Sequence, residues 1–304
     1  MNITQPSILS PRILVPFALL TLIWGSTWIV IKDQLGIVPP SWSVCYRFLL
    51  GGCVMLAYAK LTKVDLNIGR SGHLFAIPFG LAQFAFNFNF VYRAEIYITS
   101  GLVAVVFALL VVPNAVFSRV FLKQKMTAQF IIGSCIAVGG LALLFVNEVR
   151  GDPGEQTATM IGVGLTLLGV ISASISNVMQ ATERARLYPM AAMLGWAMLW
   201  GALANALFAF GTAGPPVMDW RWGYFGGVAY LGIIASAIAF TLYFGVIRQI
   251  GPAKAAYSSV IIPIIAMLIS TVAEGYRWTG LGIAGCVLAL AGLVVALSAR
   301  KPST

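Results

Sequence analysis

Long apolar stretches separated by short polar segments make up almost the whole chain. Ten of these stretches are about 20 residues long, which is the length of a helix that crosses the hydrocarbon core of a bilayer. The strict apolar–polar alternation of a membrane barrel strand is absent. The pattern predicts ten transmembrane helices at 13–32, 42–61, 73–92, 98–119, 128–147, 160–181, 190–211, 223–244, 253–273 and 279–299.

Composition leads to the same class of protein. Of the 304 residues, 60% are hydrophobic and only 9% are charged, whereas soluble domains contain about 25% charged residues. The short connections carry turn residues, such as Pro39-Pro40 and the GDPG stretch at 151–154. We therefore expect an all-α polytopic membrane protein without a separate soluble domain.

The distribution of basic residues gives an orientation. If the N-terminus is cytoplasmic, 13 of the 19 lysines and arginines lie in inside segments, five lie in outside segments, and Arg47 lies within a span. Basic residues are enriched in cytoplasmic loops. The count predicts that both termini are cytoplasmic, and an even number of spans is needed for that. Glu95 falls in an outside segment of this count, so no acidic residue lies in the middle of a predicted span.

Prolines and glycines of the first half align with prolines and glycines of the second half when the sequence is shifted by 149–150 residues. This predicts two five-span repeats, 1–150 and 151–304, that together form one transmembrane domain. Because five is odd, the repeats would enter the membrane in opposite orientations, which is a transporter architecture with a central site. The matching pairs are Pro40 with Pro189, Gly101 with Gly251, Pro113 with Pro263, and Gly133 with Gly282.

Pro113 and Pro263 lie within apolar runs, where a proline removes a backbone hydrogen bond. One interpretation is a tolerated kink that only shapes helix packing, since prolines are frequent in membrane helices. The other is a pair of hinges beside a wet cavity, where the freed carbonyl groups find partners. Their matched placement favours the hinges.

Three stretches carry a resemblance to a known family. The chain resembles the EamA-type ten-span members of the drug/metabolite transporter superfamily along its whole length. It departs from the family pattern at Lys123-Gln124-Lys125, where a glutamate is common. The stretches are LIWGSTWIVIK (22–32), PPSWSVCYRFLLGG (39–52) and SVIIPIIAMLISTVAEGYRWTGLGIAGCVLALAG (259–292).

The resemblance implies a carrier but not its substrate. Members carry amino acids, nucleotide sugars, phosphorylated metabolites and drugs, and the aromatic amino acid exporters of YddG type are the subgroup that looks most similar. The glutamate missing near Gln124 means that no role of that acid can be transferred to the first repeat.

Polar side chains inside spans are costly and are therefore candidates for a substrate site. Hydrogen bonding between helices is the structural alternative. The polar candidates are Gln83, Asn87, Asn114, Ser176, Asn177, Gln180, Tyr230, Tyr243, Tyr257 and Ser258. Trp24 is a further candidate. It lies near the middle of the first span and either forms a wall of the cavity or packs between helices.

Arg47 is the one basic residue placed inside a predicted span. A charge there needs a partner. Three interpretations stay open: the side chain reaches the membrane surface, it pairs with a neighbouring helix, or it binds an anionic group of the substrate.

These features predict a secondary transporter, and more specifically an exporter of small metabolites, above all amino acids with aromatic or apolar side chains. It would work by alternating access around a central cavity in a bacterial inner membrane. Drugs, nucleosides or sugar phosphates are the alternative substrates. A channel and an intramembrane enzyme are disfavoured, the first by the inverted repeat and the second by the lack of catalytic motifs. We expect no metal, cofactor, nucleic acid or obligate protein partner beside the substrate and membrane lipid.

Overall fold

Ten long helices form the described part of the chain, which in this computed structural model comprises residues 11–123, 126–148, 153–250, 255 and 258–298. One additional helical turn, Glu183–Arg186, connects the sixth and seventh helices. The ten helices are α1 (Pro11–Asp33), α2 (Pro40–Leu61), α3 (Gly69–Tyr97), α4 (Ser100–Leu122), α5 (Ala128–Glu148), α6 (Pro153–Gln180), α7 (Met190–Ala213), α8 (Trp222–Ile250), α9 (Ser258–Ala273) and α10 (Gly280–Leu297).

The helices agree with the predicted spans in number and order. Within the described residues, seven helices are long and apolar enough to cross a membrane, and three more contain shorter apolar segments. The bounds differ by up to seven residues: α6 begins seven residues before the predicted start at 160, α8 ends six residues after 244, and α3 ends five residues after 92, at Tyr97. The start of the predicted ninth span, from 253 to 257, falls largely outside the described residues. The prediction of an all-α polytopic membrane protein is confirmed.

Two pairs of equivalent helices, α5 with α10 and α2 with α7, pack on each other in antiparallel orientation. In the pair α5 and α10, Gly133 lies against Ala296 while Gly140, further along α5, lies against Ala289, nearer the start of α10. A β carbon built on Gly140 would lie 2.2 Å from the backbone nitrogen of Ala289. The backbones therefore touch along this seam, as small residues permit in membrane helices. Helices of equal rank run in opposite directions, so the predicted inverted repeat is confirmed.

The other packing contacts follow the same twofold relation. Helix α1 packs on α9 as α6 packs on α4, and α3 packs on α6 as α8 packs on α1. Helices α2 and α7 form a second antiparallel seam, where Gly52 lies against Leu199 and Gly195 against Leu56. Helices from both halves are thus interleaved around one centre.

Helices α3 and α8 each contain a π-helical segment at the same place in their repeat. The segments are Leu81–Asn87 and Tyr230–Ile238, and their first residues are 149 positions apart. A π segment widens the helix by one residue per turn and leaves carbonyl groups available to other partners, which is why such segments are frequent at functional sites. Here the Ala235 carbonyl accepts a hydrogen bond from Trp24, and the Phe84 carbonyl accepts one from Asn205.

The two matched prolines lie in α4 and α9. Pro113 follows a short 3₁₀ stretch, Ala108–Leu110. In a regular α-helix the proline ring would clash with the carbonyl group four residues earlier, that of Leu109. Leu109 lies in the 3₁₀ turn, where the backbone geometry differs. Pro263 is buried inside α9. Both prolines are therefore accommodated within continuous helices, while their action as hinges stays a prediction.

Candidate functional site

A cavity lies between the two repeats near the middle of the bundle. It encloses about 770 Å³ of empty space, including its open mouth, and helices α1, α2, α3, α4, α6, α8 and α9 contribute to its wall. The wall is mainly apolar and aromatic, with a few amide groups and one guanidinium. The lining residues are Trp24, Thr27, Trp28, Ile31, Arg47, Gln83, Asn87, Phe88, Val91, Ala104, Phe107, Ala108, Leu110, Ala173, Asn177, Phe240, Tyr243, Ser258, Ile262 and Pro263.

The predicted site residues divide into two groups by position. Trp24, Gln83, Asn87, Asn177, Tyr243 and Ser258 line the cavity, as do Arg47 and Pro263. Asn114, Ser176, Gln180, Tyr230 and Pro113 are not part of this wall. Tyr257 lies outside the described residues.

Trp24 forms an aromatic wall with residues of α8. Its ring lies 5.3 Å from Phe240 and 4.9 Å from Tyr243, both in edge-to-face geometry. Its indole nitrogen donates a 3.1 Å hydrogen bond to the Ala235 carbonyl in the π segment. Tyr230, at the start of that segment, bonds with its hydroxyl to Ser26 at 2.7 Å. The π segment therefore fixes α1 against α8 at this side of the cavity.

Side-chain amides form the polar part of the wall. The Ser176 hydroxyl donates to the Gln83 carbonyl oxygen, so Ser176 supports Gln83 from behind. The Asn177 amide donates to the Asn114 carbonyl oxygen at 3.4 Å, and Asn114 is likewise placed behind the wall. The side-chain oxygen of Asn87 is buried and has no hydrogen-bond partner among the described residues.

The remaining predicted polar residues have simpler surroundings. Gln180 is buried at the end of α6, and its side-chain oxygen has no partner within the described part of the chain. The Ser258 hydroxyl donates to the Ala255 carbonyl at 2.9 Å. Their roles in substrate binding stay predictions.

Arg47 points into the protein, not to the membrane surface. Its side chain is 1% exposed, its Nε donates a 3.0 Å hydrogen bond to Ser236, and its guanidinium lies 4.2 Å from the ring centre of Phe88. One terminal nitrogen has no hydrogen-bond partner among the described residues. A buried guanidinium with a free donor is costly unless something accepts from it. This group can bind an anion that enters the cavity.

Polar contacts join the helices at one end of the bundle, the end that holds the C-termini of α1 and α3, here called the Glu95 end. Lys32 donates to the backbone carbonyl of Glu95, and Tyr92 donates to Gln34 at 3.0 Å. These bonds join α1 to α3, and they involve α3 residues at or beyond the predicted end of the third span.

Glu274 ties the two repeats together at the same end. Its carboxylate accepts from the backbone nitrogen of Ser100 at 3.2 Å and from the Ser100 hydroxyl. It therefore caps the N-terminus of α4, where four backbone N–H groups lack partners within the helix and a negative charge is favoured.

Sequence reasoning missed the burial of Glu95. The pattern of apolar stretches predicts an outside segment at this residue, but it lies in α3 and is fully buried. Neither carboxylate oxygen has a hydrogen-bond partner among the described residues. The apolar window ended too early because the polar residues of the last α3 turns are enclosed by protein instead of lipid.

Similarity to known proteins extends over almost the whole chain. The model of the EamA-like transporter family matches twice, at residues 12–146 and 160–298. Protein PagO of Salmonella typhimurium is 24% identical, over 94% of this chain and 92% of its own length. The inner membrane transporter YedA of Escherichia coli is 29% identical, over 93% and 91%.

Two further similarities concern function and fold. A protein of Salmonella typhimurium named "Probable amino-acid metabolite efflux pump" is 24% identical, over 91% of this chain and 92% of its own length. A solved crystal structure matches with a TM-score of 0.69 at 20% identity, covering 93% of this chain and 95% of its own. This last likeness supports the fold.

Proposed function

The chain belongs to the EamA-like transporter family, and from this premise we propose that it exports amino acids, including aromatic and apolar ones, by alternating access. Transport of a small molecule across a membrane follows from the family, whose members similar to this chain include a protein named as an inner membrane transporter and one named "Probable amino-acid metabolite efflux pump". The substrate class, the direction and the inner-membrane location are the proposal.

Arg47 is the observation that carries the substrate class. Of the residues that the structure describes, it is the one basic residue in the wall of the cavity, and one of its guanidinium nitrogens has no partner among them. A carboxylate that accepts from it forms a charge-assisted hydrogen bond, the strong kind in a dry site. The free oxygen of Asn87 is an acceptor for an ammonium group on the same wall.

The apolar wall favours a substrate with an apolar or aromatic side chain. Trp24, Phe240 and Tyr243 form an aromatic cluster on one side, and Trp28 and Phe107 lie with ring centres 5.6 Å apart elsewhere on the wall. Aromatic rings gain about 0.5–1.5 kcal/mol per well-placed partner beyond area burial. A sugar phosphate carries about two negative charges, for which one guanidinium is a poor match.

Alternating access would use the inverted repeat. The two units, 1–150 and 151–304, would rock about the cavity, with Pro113 and Pro263 as the hinges, while the Glu95 end opens and closes. The contacts of Lys32 and Glu274 at that end support its closure in the present conformation. With both termini cytoplasmic, the Glu95 end faces the outside.

The test is counterflow in proteoliposomes that are preloaded with unlabelled phenylalanine. We expect labelled phenylalanine to accumulate transiently, and Arg47→Gln to lower this exchange about tenfold or more, since hydrogen bonds to charged groups contribute about 1.5–3 kcal/mol. Arg221→Gln is the matched control because Arg221 is half exposed in the loop before α8. Monodisperse elution must first establish that each variant is folded.

Two results would contradict the proposal. Exchange of a sugar phosphate or nucleoside without exchange of any amino acid would refute the substrate class. Equal exchange by Arg47→Gln and wild type would show that Arg47 does not bind the carboxylate.

A further inference from the structure

The hydroxyl group of Ser236 is the hydrogen-bond acceptor for the Arg47 side chain. Ser236 lies in the π segment of α8, is 0% exposed, and accepts a 3.0 Å hydrogen bond from Nε of Arg47. Its own proton is donated to the Leu231 carbonyl oxygen at 2.7 Å. A hydroxyl has one proton, and a guanidinium can only donate. The two bonds together therefore fix the direction of the hydroxyl, with a lone pair facing Arg47.

The π geometry of the segment determines where this hydroxyl lies. Ser236 bonds the carbonyl group five residues earlier, whereas Thr241, in the regular part of α8, bonds that of Ala237, four residues earlier. A spacing of four is usual for serine and threonine in an α-helix. Ser236 is the seventh residue of its segment, and the seventh residue of the α3 segment is Asn87, which lines the cavity. Equivalent positions of the two repeats therefore hold one polar group against Arg47 and one on the cavity wall.

Helix α2 packs directly on the same segment of α8. A β carbon on Gly232 would lie 2.9 Å from the carbonyl oxygen of Arg47, and one on Gly51 would lie 2.9 Å from the carbonyl oxygen of Gly232. The backbone of Arg47 and the π segment are therefore in contact. It follows that the backbone sets the position of Ser236 relative to the base of the arginine side chain.

The other contacts of Arg47 leave part of its guanidinium free. The ring centre of Phe88 lies 4.2 Å from the central guanidinium carbon, and Tyr92 on α3 also interacts with the group. One terminal nitrogen has no hydrogen-bond partner among the described residues. Because a guanidinium is planar and carries its donors in a fixed fork, holding Nε against Ser236 determines where the free N–H groups point. Arg47 lines the cavity, whereas Ser236 is not part of its wall.

We propose that Ser236 is a positioning residue, which directs the free donors of Arg47 towards the carboxylate of the substrate without touching the substrate itself. The inference rests on the proposed function and deepens it, because it makes the π segment of α8 a determinant of carboxylate recognition. Without the hydroxyl, the long side chain of Arg47 loses its fixed direction and has to be ordered when the substrate binds. The loss falls on binding of the substrate, so KM rises.

The test compares the KM and the maximal rate of phenylalanine counterflow in proteoliposomes. Ser236→Ala should raise KM about tenfold and leave the maximal rate unchanged, since a hydrogen bond to a charged group is one of the stronger kind. Ser236→Cys fills similar space with a sulfur that accepts hydrogen bonds weakly, so it should raise KM as well and serves if Ser236→Ala does not fold. The control is Ser134→Ala, which should keep the wild-type KM. Ser134 is a buried serine of α5, away from the cavity wall, and its hydroxyl has no partner in the described part of the chain.

A double variant tests whether Ser236 acts through Arg47. Two residues that act as one unit have effects that do not add. Ser236→Ala should therefore leave KM unchanged when it is introduced into Arg47→Gln. A competitor gives a second measurement: phenethylamine has the ring and the ammonium group of phenylalanine but no carboxylate. Its inhibition of wild-type counterflow and of Ser236→Ala counterflow should have the same inhibition constant.

The outcomes separate the two proposals. If Ser236→Ala and Ser236→Cys keep the wild-type KM, or lower only the maximal rate, Ser236 does not position Arg47 and amino acid transport stands. An equal rise of KM in the wild-type and Arg47→Gln backgrounds, or an equal weakening of phenethylamine, would show a general effect on the cavity and refute the role through Arg47. If wild type exchanges no amino acid, the proposed function fails and the role of Ser236 in carboxylate binding fails with it.

Discussion

Adding one methyl group to Gly140 should weaken the seam between α5 and α10. In Gly140→Ala the new β carbon would lie 2.2 Å from the Ala289 backbone nitrogen, 2.8 Å from its α carbon and 2.8 Å from the Gly285 carbonyl oxygen. Non-bonded carbon atoms have their optimal separation at about 3.5–4.0 Å, so all three contacts are far too short. Backbone cannot rotate away as a side chain can, so the two helices must separate by about 1 Å.

The separation has a cost that can be estimated. A gap of 0.5–1 Å already removes a quarter to a half of the dispersion energy of each contact along the seam. Overpacking of this kind typically costs about 1–3 kcal/mol. Alanine has a higher helix propensity than glycine, which offsets this loss by up to about 1 kcal/mol. We therefore expect a net loss of up to about 2 kcal/mol in the free energy of unfolding relative to wild type, and of about 1–3 kcal/mol relative to a variant that gains the alanine preference alone.

The neighbouring glycine provides the control. A β carbon on Gly139 meets no atom within 4 Å, so Gly139→Ala changes helix preference alone. The assay is reversible unfolding in mixed detergent micelles, followed by circular dichroism. Gly139→Ala should be as stable as wild type or slightly more stable, and Gly140→Ala less stable. Equal stability of the two variants would refute the close antiparallel contact.

Three further predictions concern the hinges, the orientation and the cavity wall. Replacing Pro113 and Pro263 together by alanine should slow counterflow while the protein stays folded, and unchanged rates in vesicles would remove the hinge interpretation. A reporter fused after Thr304 should be active in the cytoplasm, and a periplasmic signal would contradict the orientation taken from the basic residues. Trp24→Phe keeps an aromatic ring but leaves the Ala235 carbonyl without its donor, which should lower the free energy of unfolding by about 1 kcal/mol in the same micelle assay.

The pattern of apolar stretches was sufficient to predict the fold because the hydrocarbon core of a membrane allows few backbone structures. A stretch of about 20 apolar residues must be helical there, and paired landmarks such as Pro113 and Pro263 then disclosed the repeat. The rule fails where polar residues are enclosed by protein. The last turns of α3, with Arg93 and Glu95, look like a loop by composition, but they are helical because Asn89 and Ser41 satisfy Arg93.

The polar part of the cavity could be predicted, together with Trp24 and Pro263, but the rest of its apolar wall could not. Asn87 and Asn177 were found because a polar side chain in a span is costly, but the same criterion selected Asn114 and Ser176, which support the wall from behind. Apolar wall residues such as Phe107 carry no signal in the sequence, since an aromatic ring facing lipid and one facing the cavity look alike.

Each π segment shifts the phase of its helix. Residues beyond Leu81–Asn87 and Tyr230–Ile238 are turned relative to those before, so a helical wheel drawn across the whole of α3 or α8 assigns wrong faces to its second half. If a segment became regular α-helix with all its residues kept, everything beyond it would turn by about 100°. In α3 that rotation would carry Val91 away from the cavity, whose wall it lines. The extra residue in each half therefore determines which faces of the later parts of α3 and α8 point towards the cavity. The hydrophobicity of the sequence does not reveal it.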